Sequence, residues 1–337
     1  MTTMNLKNKN ILVTGGAGFV GSHLVEELIK LKTNVIIVDI NFDKRSYLFT
    51  ENLHKKSKVI NLNICNYKKL SALIKKYRIE FIFHLAAQAL VDVAYNDPKG
   101  TLENNLLSTI NILEIVRTNR NIKGVIVASS DKAYGKLDYT PGVLSRKNQR
   151  LTPGVRPRYK ESDPLSGDHP YETSKSATDL ISTTYYKTYK TPIIVTRFGN
   201  IYGEGDLNFS RIIPGIMKSL INKETLEIRS NGKYIRDYLY VKDVVNGYLL
   251  LAENINKIKG EAFNFGSEET LSVLQIIKLI EKVLNKKIKY KILNIAKNEI
   301  PYQSLDYSKI RKTLKWQPKH SVKNTVENIY RWYKKYT

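Results

Sequence analysis

Short apolar runs alternate with amphipathic stretches along the first part of the chain. The apolar runs, which predict buried strands, cover residues 11–14, 35–38, 59–64, 81–85, 125–128 and 193–196. The amphipathic stretches, which predict helices, cover residues 23–31, 70–77, 106–116 and 174–189. Strands without polar alternation are buried on both faces, as in a parallel sheet with helices on each side. The pattern therefore predicts an α/β fold with a doubly wound parallel sheet.

After residue 197 the segments become shorter and mixed in type. Lysines alternate with apolar residues over 287–292, which predicts a half-buried strand with lysines on its wet face. Helices are predicted at 307–314 and 322–336. We therefore expect a sheet domain at 1–196, to which 237–260 returns, and a smaller mixed α/β lobe formed by 197–236 and 261–337.

The stretch 136–170 contains five of the ten prolines and little periodicity. It predicts a long surface loop, and loops of this length in compact domains are often functional. The sequence is compatible with a loop that covers a substrate, a loop that contacts another subunit, or a passive insertion.

Charge and composition narrow the class of protein. The chain has 55 Lys+Arg against 31 Asp+Glu, a formal net charge of +24. This excess suggests a nucleic-acid partner, but it is spread along the chain without a long basic block, which favours a lysine-rich solvated surface. No apolar run approaches the ~20 residues of a membrane span, and no secretion signal is visible. One cysteine, Cys65, and scattered histidines exclude an internal disulfide and give no metal spacing. We expect a cytoplasmic protein without metal, membrane or nucleic-acid partner.

A glycine motif joins the first predicted strand to the first helix. Gly15, Gly18 and Gly21 are spaced G-x-x-G-x-x-G, and Asp39 ends the second strand. Glycines in this position let a pyrophosphate approach backbone N–H groups at a helix N-terminus, and a carboxylate such as Asp39 can accept hydrogen bonds from ribose hydroxyls. The motif predicts a dinucleotide site. Asp39 favours NAD because it repels a 2′-phosphate, whereas Lys44 and Arg45 keep NADP possible.

A second motif, Tyr171-x-x-x-Lys175, lies in a predicted helix. This spacing places both side chains on one helix face. The Lys175 ammonium is expected to lower the pKa of the Tyr171 phenol and to hold the nicotinamide ribose, so that Tyr171 becomes a base for a sugar hydroxyl.

Together these motifs resemble the extended short-chain dehydrogenase/reductases that act on nucleotide sugars. Supporting stretches lie at 83–88, 104–106, 197–203, 236–238 and 314–318. The resemblance implies a Rossmann sheet, a nucleotide-sugar substrate and a homodimer or larger homo-oligomer assembled through the helix that carries Lys175. It also implies that Ser130 assists Tyr171. The chain departs from the family at the end of the third strand, where Asn63 replaces the usual aspartate.

The resemblance implies further ligand contacts. Cofactor contacts are implied for Phe19, Val20, Lys44, Asn63, Ile64, Leu85, Ala86, Ala87, Asn105, Tyr171 and Lys175. Substrate contacts are implied for Gln88, Ser130, Asn200, Arg211 and Arg236, with Asn200 and Arg236 close to the diphosphate.

The segment Ser130-Asp131-Lys132 points to a reaction. It resembles CDP-glucose 4,6-dehydratases and a group of UDP-N-acetylglucosamine 4,6-dehydratases, whereas other hexose 4,6-dehydratases commonly have Thr-Asp-Glu. Loss of water across C5–C6 needs an acid for the C6 oxygen and a base for the C5 proton. Asp131 supplies the acid if it is protonated, and Lys132 supplies the base if it is neutral.

Three alternatives remain at this stage. The pair Asp131–Lys132 can be a simple surface ion pair at a strand end. A sugar 4-epimerase of the same family would need no acid–base pair at C5–C6. A non-catalytic dinucleotide-binding protein that uses the basic surface would need neither Tyr171 nor Lys175.

Overall fold

The computed structural model describes residues 4–136, 158–295 and 300–337. Its strands are β1 (Asn10–Thr14), β2 (Asn34–Asp39), β3 (Lys58–Asn61), β4 (Phe81–His84), β5 (Gly124–Ala128), β6 (Ile193–Phe198), β7 (Asn200–Tyr202), β8 (Leu226–Ile228), β9 (Ile235–Tyr240), β10 (Ala262–Phe265), β11 (Thr270–Ser272), β12 (Tyr290–Ile292) and β13 (Tyr302–Gln303). Its helices are α1 (Phe19–Lys30), α2 (Tyr47–Thr50), α3 (Tyr67–Lys76), α4 (Val91–Asn96), α5 (Pro98–Thr118), α6 (Pro170–Tyr189), α7 (Ile212–Asn222), α8 (Val241–Glu253), α9 (Ile255–Ile258), α10 (Val273–Leu284), α11 (Ser308–Leu314) and α12 (Val322–Tyr336).

Within the described residues, seven parallel strands form one sheet in the order β10-β6-β5-β4-β1-β2-β3. The register places Leu12 beside Ile36, and Val13 between Ile37 and Phe83. All five side chains are buried, which explains why the apolar runs lack polar alternation. The sheet confirms the predicted α/β fold. Its strand order reverses between β1 and β4, the position at which α/β sheets open a ligand crevice at their carboxyl ends.

The two longest helices, α5 and α6, pack against each other beside the sheet. A proline opens each helix, where its missing N–H costs nothing. The Asp97 side chain accepts from Gly100 N at the start of α5, and His169 Nδ1 accepts from Tyr171 N at the start of α6. These caps fix the first turns of both helices and thereby the position of Tyr171. No helix within the described ranges is long and apolar enough to cross a membrane.

The second lobe combines small sheets with α7, α10 and α12. Strand β9 pairs with β7, β11 and β13, and β8 pairs with β12. Helix α10 begins with a capping box in which Ser272 and Gln275 satisfy each other's backbone N–H groups. Two strands depart from the predicted division. Residues 237–240 belong to β9, which lies in a small sheet of the second lobe, and β10 comes from 261–337, yet it is the edge strand of the large sheet, beside β6. Phe263 and Phe265 of β10 are fully buried, so burial of these rings holds the strand on that edge.

The strand predicted at 287–292 differs in length and burial. Only residues 290–292 form a strand, β12, and its one partner strand among the described residues is β8. Ile288 is buried, but Tyr290 and Ile292 are each 43% exposed. The alternation of lysines and apolar residues therefore predicted more burial than this strand has. A sheet of two strands covers little of either face of β12.

The loop predicted at 136–170 is described at its ends, whereas 137–157 lie outside the described residues. The part near Tyr159 departs from a surface loop. Tyr159 is fully buried, its ring stacks on Tyr134 with centroids 4.7 Å apart, and its backbone bridges to Leu305. This part of the segment therefore joins the core behind the strand end of β5.

Candidate active site

A cavity of about 810 Å³ lies between the carboxyl ends of the large sheet and the second lobe. The sheet side contributes Phe19 and Val20 from α1 together with the residues that follow β5. The second lobe contributes Asn200, Arg211 and Arg236. A cleft at the strand-order reversal of a parallel sheet is where α/β folds bind ligands, so the cavity is the candidate active site.

The glycine motif forms a tight turn at the entrance of α1. Gly15 has a φ of +71°, and a Cβ atom there would lie 2.7 Å from Ala86 N. Gly18 is the N-cap of α1, and Gly21 packs against the backbone of Gly15. The missing side chains leave backbone N–H groups approachable at the positive end of a helix, which suits the pyrophosphate of a dinucleotide.

Asp39 supports this turn from the end of β2. Its Oδ2 accepts from Ala17 N at 3.1 Å, and its Oδ1 accepts from Ile40 N at 2.8 Å. Burial raises the pKa of the Asp39 carboxyl. The neighbouring Arg45 is held by Asp43 through two hydrogen bonds of 3.1 and 2.7 Å. The sequence had suggested that Arg45 could bind the 2′-phosphate of NADP, but its guanidinium is already paired with Asp43. Lys44 is exposed to solvent.

His84 ties β4 to its neighbours rather than to a ligand. Its Nδ1 is 2.8 Å from Thr14 Oγ1, and its Nε2 is 3.2 Å from Thr109 Oγ1. Burial lowers the pKa of His84 to about 3, so the ring is neutral. The Thr14 hydroxyl also accepts from Ala86 N at 3.3 Å. The network therefore fixes the backbone after β4 against the glycine turn.

The side chain of Asn105 holds the backbone of Gln88. Asn105 Oδ1 accepts from Gln88 N at 2.7 Å, while its Nδ2 donates to Gln88 O and to Ser174 Oγ. The Gln88 side chain accepts from Leu90 N at 2.6 Å. Both side chains are thus engaged by the protein. Asn105 clamps the loop after β4 onto α6, and Ser174 is a partner that the sequence analysis missed.

The other implied cofactor residues divide into two groups. Leu85 lines the cavity, and Ala86 and Ala87 follow it as half-buried backbone. Ile64 is a core residue, and Asn63 is exposed, with its side chain accepting from Cys65 N at 2.9 Å. The third strand therefore ends in a hydrogen-bonded turn at the position where the family usually has an aspartate.

Tyr171 and Ser130 both line the cavity. Ser130 Oγ donates to Asp131 Oδ1 at 3.0 Å. Burial raises the pKa of Tyr171 to about 12, against the expectation that Lys175 would lower it. Ser130 and the charge of Arg211 oppose this rise. The phenol is therefore protonated at neutral pH in the protein described here.

Lys175 points its ammonium toward the end of β5. Its Nζ donates to Ala128 O at 2.9 Å, and the side chain is buried. Burial lowers the pKa of Lys175 to about 8. Lys175 is thus held one helical turn beyond Tyr171 by a backbone carbonyl rather than by the phenol, which explains why its effect on Tyr171 is weak.

Asp131 is buried and Lys132 is partly buried, so the two do not form a simple surface pair. Lys132 Nζ lies 3.4 Å from Asp131 Oδ2, and the two side chains are 20% and 5% exposed. Burial lowers the pKa of Lys132, the nearby Arg236 charge adds to this, and the Asp131 carboxylate opposes it. Both residues line the cavity and directly follow Ser130 in the chain.

The substrate side of the cavity is basic. Arg236 lies on β9 and donates to Ile235 O, and Arg211 precedes α7 with its guanidinium 3.0 Å from Asp206 Oδ2. Asn200 presents a buried Nδ2 that has no hydrogen-bond partner among the residues the structure describes. A buried donor without a partner is costly, so a ligand oxygen is a natural partner for it.

Sequence analysis missed a buried polar cluster that supports the site from behind. Arg197 pairs with Asp179 of α6 and donates to Tyr134 Oη at 2.6 Å. Tyr134 in turn donates to Asn264 Oδ1 at 2.7 Å. The cluster links the helix of Lys175 to the turn that carries Asp131 and Lys132. Arg197 was within a stretch that supported the family resemblance, but nothing in its sequence context indicated this role.

Comparison with known proteins identifies the family. The model described as GDP-mannose 4,6 dehydratase matches residues 12–329. The chain belongs to this family. It is an enzyme of the nucleotide-sugar dehydratase and epimerase group, since relatives of both kinds match nearly the whole chain.

Three members of this group illustrate the range. The chain is 30% identical to the CDP-paratose 2-epimerase of Salmonella typhi, over 96% of this chain and 98% of the relative. It is 27% identical to the CDP-glucose 4,6-dehydratase of Salmonella typhimurium, over 97% and 91%. A solved structure of UDP-glucuronic acid 4-epimerase from Bacillus cereus, in complex with UDP-glucuronic acid and NAD, is similar with a TM-score of 0.83 and 26% identity, over 97% and 99%.

Proposed function

We propose that this enzyme is a nucleotide-sugar 4,6-dehydratase that converts an NDP-hexose to the NDP-4-keto-6-deoxy sugar. The observation that carries the proposal is the partly buried Asp131–Lys132 pair, which lines the same cavity as Tyr171 and Ser130. Oxidation at C4 needs Tyr171 as the base, and loss of water across C5–C6 needs one acid and one base more. The cavity contains one candidate for each of these groups.

NAD is the proposed cofactor, and it supplies a hydride acceptor at C4 and a hydride donor at C6. The turn at Gly15 and Gly18 fits its pyrophosphate, and Asp39 fits its adenosine ribose. The solved structure of the Bacillus cereus relative contains NAD. The Asp43–Arg45 pair argues against NADP, because the Arg45 guanidinium already has a carboxylate partner.

The chain's own residues then divide the proton transfers. Tyr171 first releases its own proton to solvent and then, as the phenolate, accepts the proton of the C4 hydroxyl; burial, which raises the pKa of Tyr171 to about 12, makes this ionisation costly. A neutral Lys132 takes the C5 proton, and the electron pair of the C5–H bond forms the C5–C6 double bond as the C6–O bond breaks. A protonated Asp131 gives its proton to the departing oxygen, which leaves as water. Burial favours the neutral form of Lys132, as this step requires.

UDP-N-acetylglucosamine and CDP-glucose are the substrates we propose. The Ser130-Asp131-Lys132 sequence is typical of dehydratases for both, and a CDP-glucose 4,6-dehydratase is among the relatives. Arg211 and Arg236 provide two cations for the diphosphate, and Asn200 provides the donor described above.

A sugar epimerase is the second candidate, because epimerases of this family match the chain as completely as dehydratases do. An epimerase acting at C4 would use Tyr171, and Asp131 and Lys132 would take no part in the reaction.

Incubation with UDP-N-acetylglucosamine, CDP-glucose, GDP-sugars and dTDP-sugars, followed by mass spectrometry, tests the proposal. We expect one substrate to lose the mass of a water molecule and to give a 4-keto-6-deoxy product. Products of unchanged mass that are C4 epimers would instead support the second candidate. Added nucleic acid should leave turnover unaffected, in keeping with a surface charge unrelated to the reaction.

We further propose a homodimer through α5 and α6. These helices pack against each other and expose large apolar side chains, with Leu107, Leu180 and Tyr189 47%, 56% and 54% exposed. Leu107→Glu with Leu180→Glu should give a monomer in light scattering where the unmodified protein gives a dimer. A monomeric unmodified protein would contradict this.

A further inference from the structure

Gln303 reaches the Asp131–Lys132 turn from the second lobe. It lies on β13, which pairs with β9 in a register that places Gln303 beside Arg236. Its side chain is buried, with 1% of the residue exposed. Nε2 donates to Asp131 O at 2.9 Å, and Oε1 accepts from Lys132 Nζ. Both ends of one amide are thus engaged by two consecutive residues of the proposed acid–base pair.

This arrangement restricts how Lys132 presents its amine. A neutral amine has two N–H bonds and one lone pair. The two protein acceptors at Lys132 Nζ that the structure describes are Gln303 Oε1 and, at 3.4 Å, Asp131 Oδ2. If the two N–H bonds are directed at these oxygens, the lone pair faces the remaining direction, and Lys132 lines the cavity.

An amide at this position differs from a carboxylate in its effect on charge. The amide oxygen accepts a hydrogen bond from Lys132 without adding a negative charge that would stabilise the ammonium form. The charged groups near Lys132 are Asp131 on its own turn, Arg236 on β9 and Glu172 on α6. Gln303 therefore holds Lys132 in place, while the charges of these three groups determine whether Lys132 is protonated.

We propose that Gln303 is a positioning residue that directs the lone pair of Lys132 into the cavity for removal of the C5 proton. The inference rests on the dehydratase function proposed above. The proton passes from C5 to Lys132 Nζ, and Gln303 exchanges no proton in the step. The same amide fixes the Asp131 carbonyl, so acid and base keep a constant separation.

Two substitutions at this position separate positioning from charge. Gln303→Met keeps the volume and removes both hydrogen bonds, and we expect kcat to fall about 100-fold with little change in KM. C4 oxidation should still proceed, so reduced nicotinamide should accumulate, and the isotope effect with C5-deuterated substrate should increase. Gln303→Glu adds a carboxylate beside Lys132. We expect it to move the acidic limb of the kcat/KM pH profile upward by about one unit or more.

The matched control is Gln275→Glu, the same chemical change in the capping box of α10. Its pH profile should coincide with that of the unmodified enzyme, because glutamate satisfies a capping box equally well. All variants are assayed with the nucleotide sugar of the panel that the unmodified enzyme dehydrates.

The outcomes distinguish this inference from the function on which it rests. If the unmodified enzyme dehydrates no nucleotide sugar of the panel, the proposed function and the inference both fail. If it is active and Gln303→Met shows neither an isotope effect nor accumulation of reduced cofactor, the inference alone fails. Should Gln303→Glu not fold, the result with Gln303→Met decides. An unshifted pH profile in a folded Gln303→Glu also overturns the proposal.

Discussion

Arg197 and Asp179 form a buried ion pair behind the active site, with two hydrogen bonds of 2.7 and 2.9 Å between the guanidinium and the carboxylate. The side chains are 5% and 1% exposed. Asp179 lies on α6, one turn beyond Lys175, and Arg197 lies on β6. The pair therefore attaches the helix of Tyr171 and Lys175 to the sheet from which the cavity opens.

Removing one partner of this pair should destabilise the protein strongly. Asp179→Ala leaves the Arg197 charge buried without its carboxylate, which typically costs about 3–5 kcal/mol in the free energy of unfolding. Chemical denaturation measures the loss. Replacing both residues, as Asp179→Leu with Arg197→Met, should restore much of it, because no buried charge remains. Arg117→Ala, which removes an exposed ion pair with Glu114, is the control and should leave stability close to that of the unmodified protein. Equal losses in the single and double variants would contradict this account.

The Asp131–Lys132 pair should be needed for dehydration but not for binding. We expect Asp131→Asn with Lys132→Ala to form no 4-keto-6-deoxy product, because C5–C6 elimination then lacks both its acid and its base. Affinity for the nucleotide sugar, measured by calorimetry, should change by less than about 10-fold since the diphosphate contacts remain. The control is Lys99→Ala with Glu103→Gln, an exposed pair on α5. Retained turnover in the double variant at 131 and 132 would exclude the proposed roles.

Much of the fold could be predicted because its strands are buried on both faces. The uninterrupted apolar runs that form β1, β2 and β4 show this burial in the local sequence. The glycine turn and Tyr171-x-x-x-Lys175 could be predicted for a similar reason, because each lies within a short segment. Strand β10 was assigned to the second lobe instead of the large sheet. Its place beside β6 depends on the free edge of that sheet, and the local sequence of β10 carries no information about that edge.

Only those residues of the candidate site that lie close together in the sequence could be predicted. Ser130, Asp131 and Lys132 are adjacent in sequence, whereas Gln303 approaches them through pairing of β13 with β9. The same limit applies to pKa values. Spacing suggested that Lys175 would lower the pKa of Tyr171, but the packing around the phenol raises it, and packing is a property of the whole fold.

The cofactor preference should depend on the charge of Asp39. Asp39→Asn keeps an acceptor for Ala17 N but removes the negative charge and one ribose acceptor. We expect NAD to bind about 10-fold more weakly, which is the usual loss for a hydrogen bond to a charged group, and NADP to bind as well as before or better. Fluorescence titration of cofactor-free protein measures both. Arg45→Ala is the companion variant, and because Asp43 already holds Arg45, it should change neither affinity. A marked loss of NADP affinity in Arg45→Ala would show that the guanidinium binds a 2′-phosphate.

Stability should fall as the pH rises through the titration of Asp237. This carboxyl is buried on β9, where it accepts from Leu305 N at 2.8 Å, and burial raises its pKa from 3.8 to about 6. Between these two values the folded state binds the proton more tightly than the unfolded chain does. Asp237 therefore contributes stability that is fully present below about pH 4 and is lost as the pH rises to about 6, a change of about 2–3 kcal/mol. Asp237→Asn keeps the acceptor and cannot titrate. Urea unfolding across this pH range should therefore give curves for the two proteins that diverge as the pH increases, with Asp237→Asn the more stable at neutral pH. Parallel curves would mean that Asp237 does not titrate in this window.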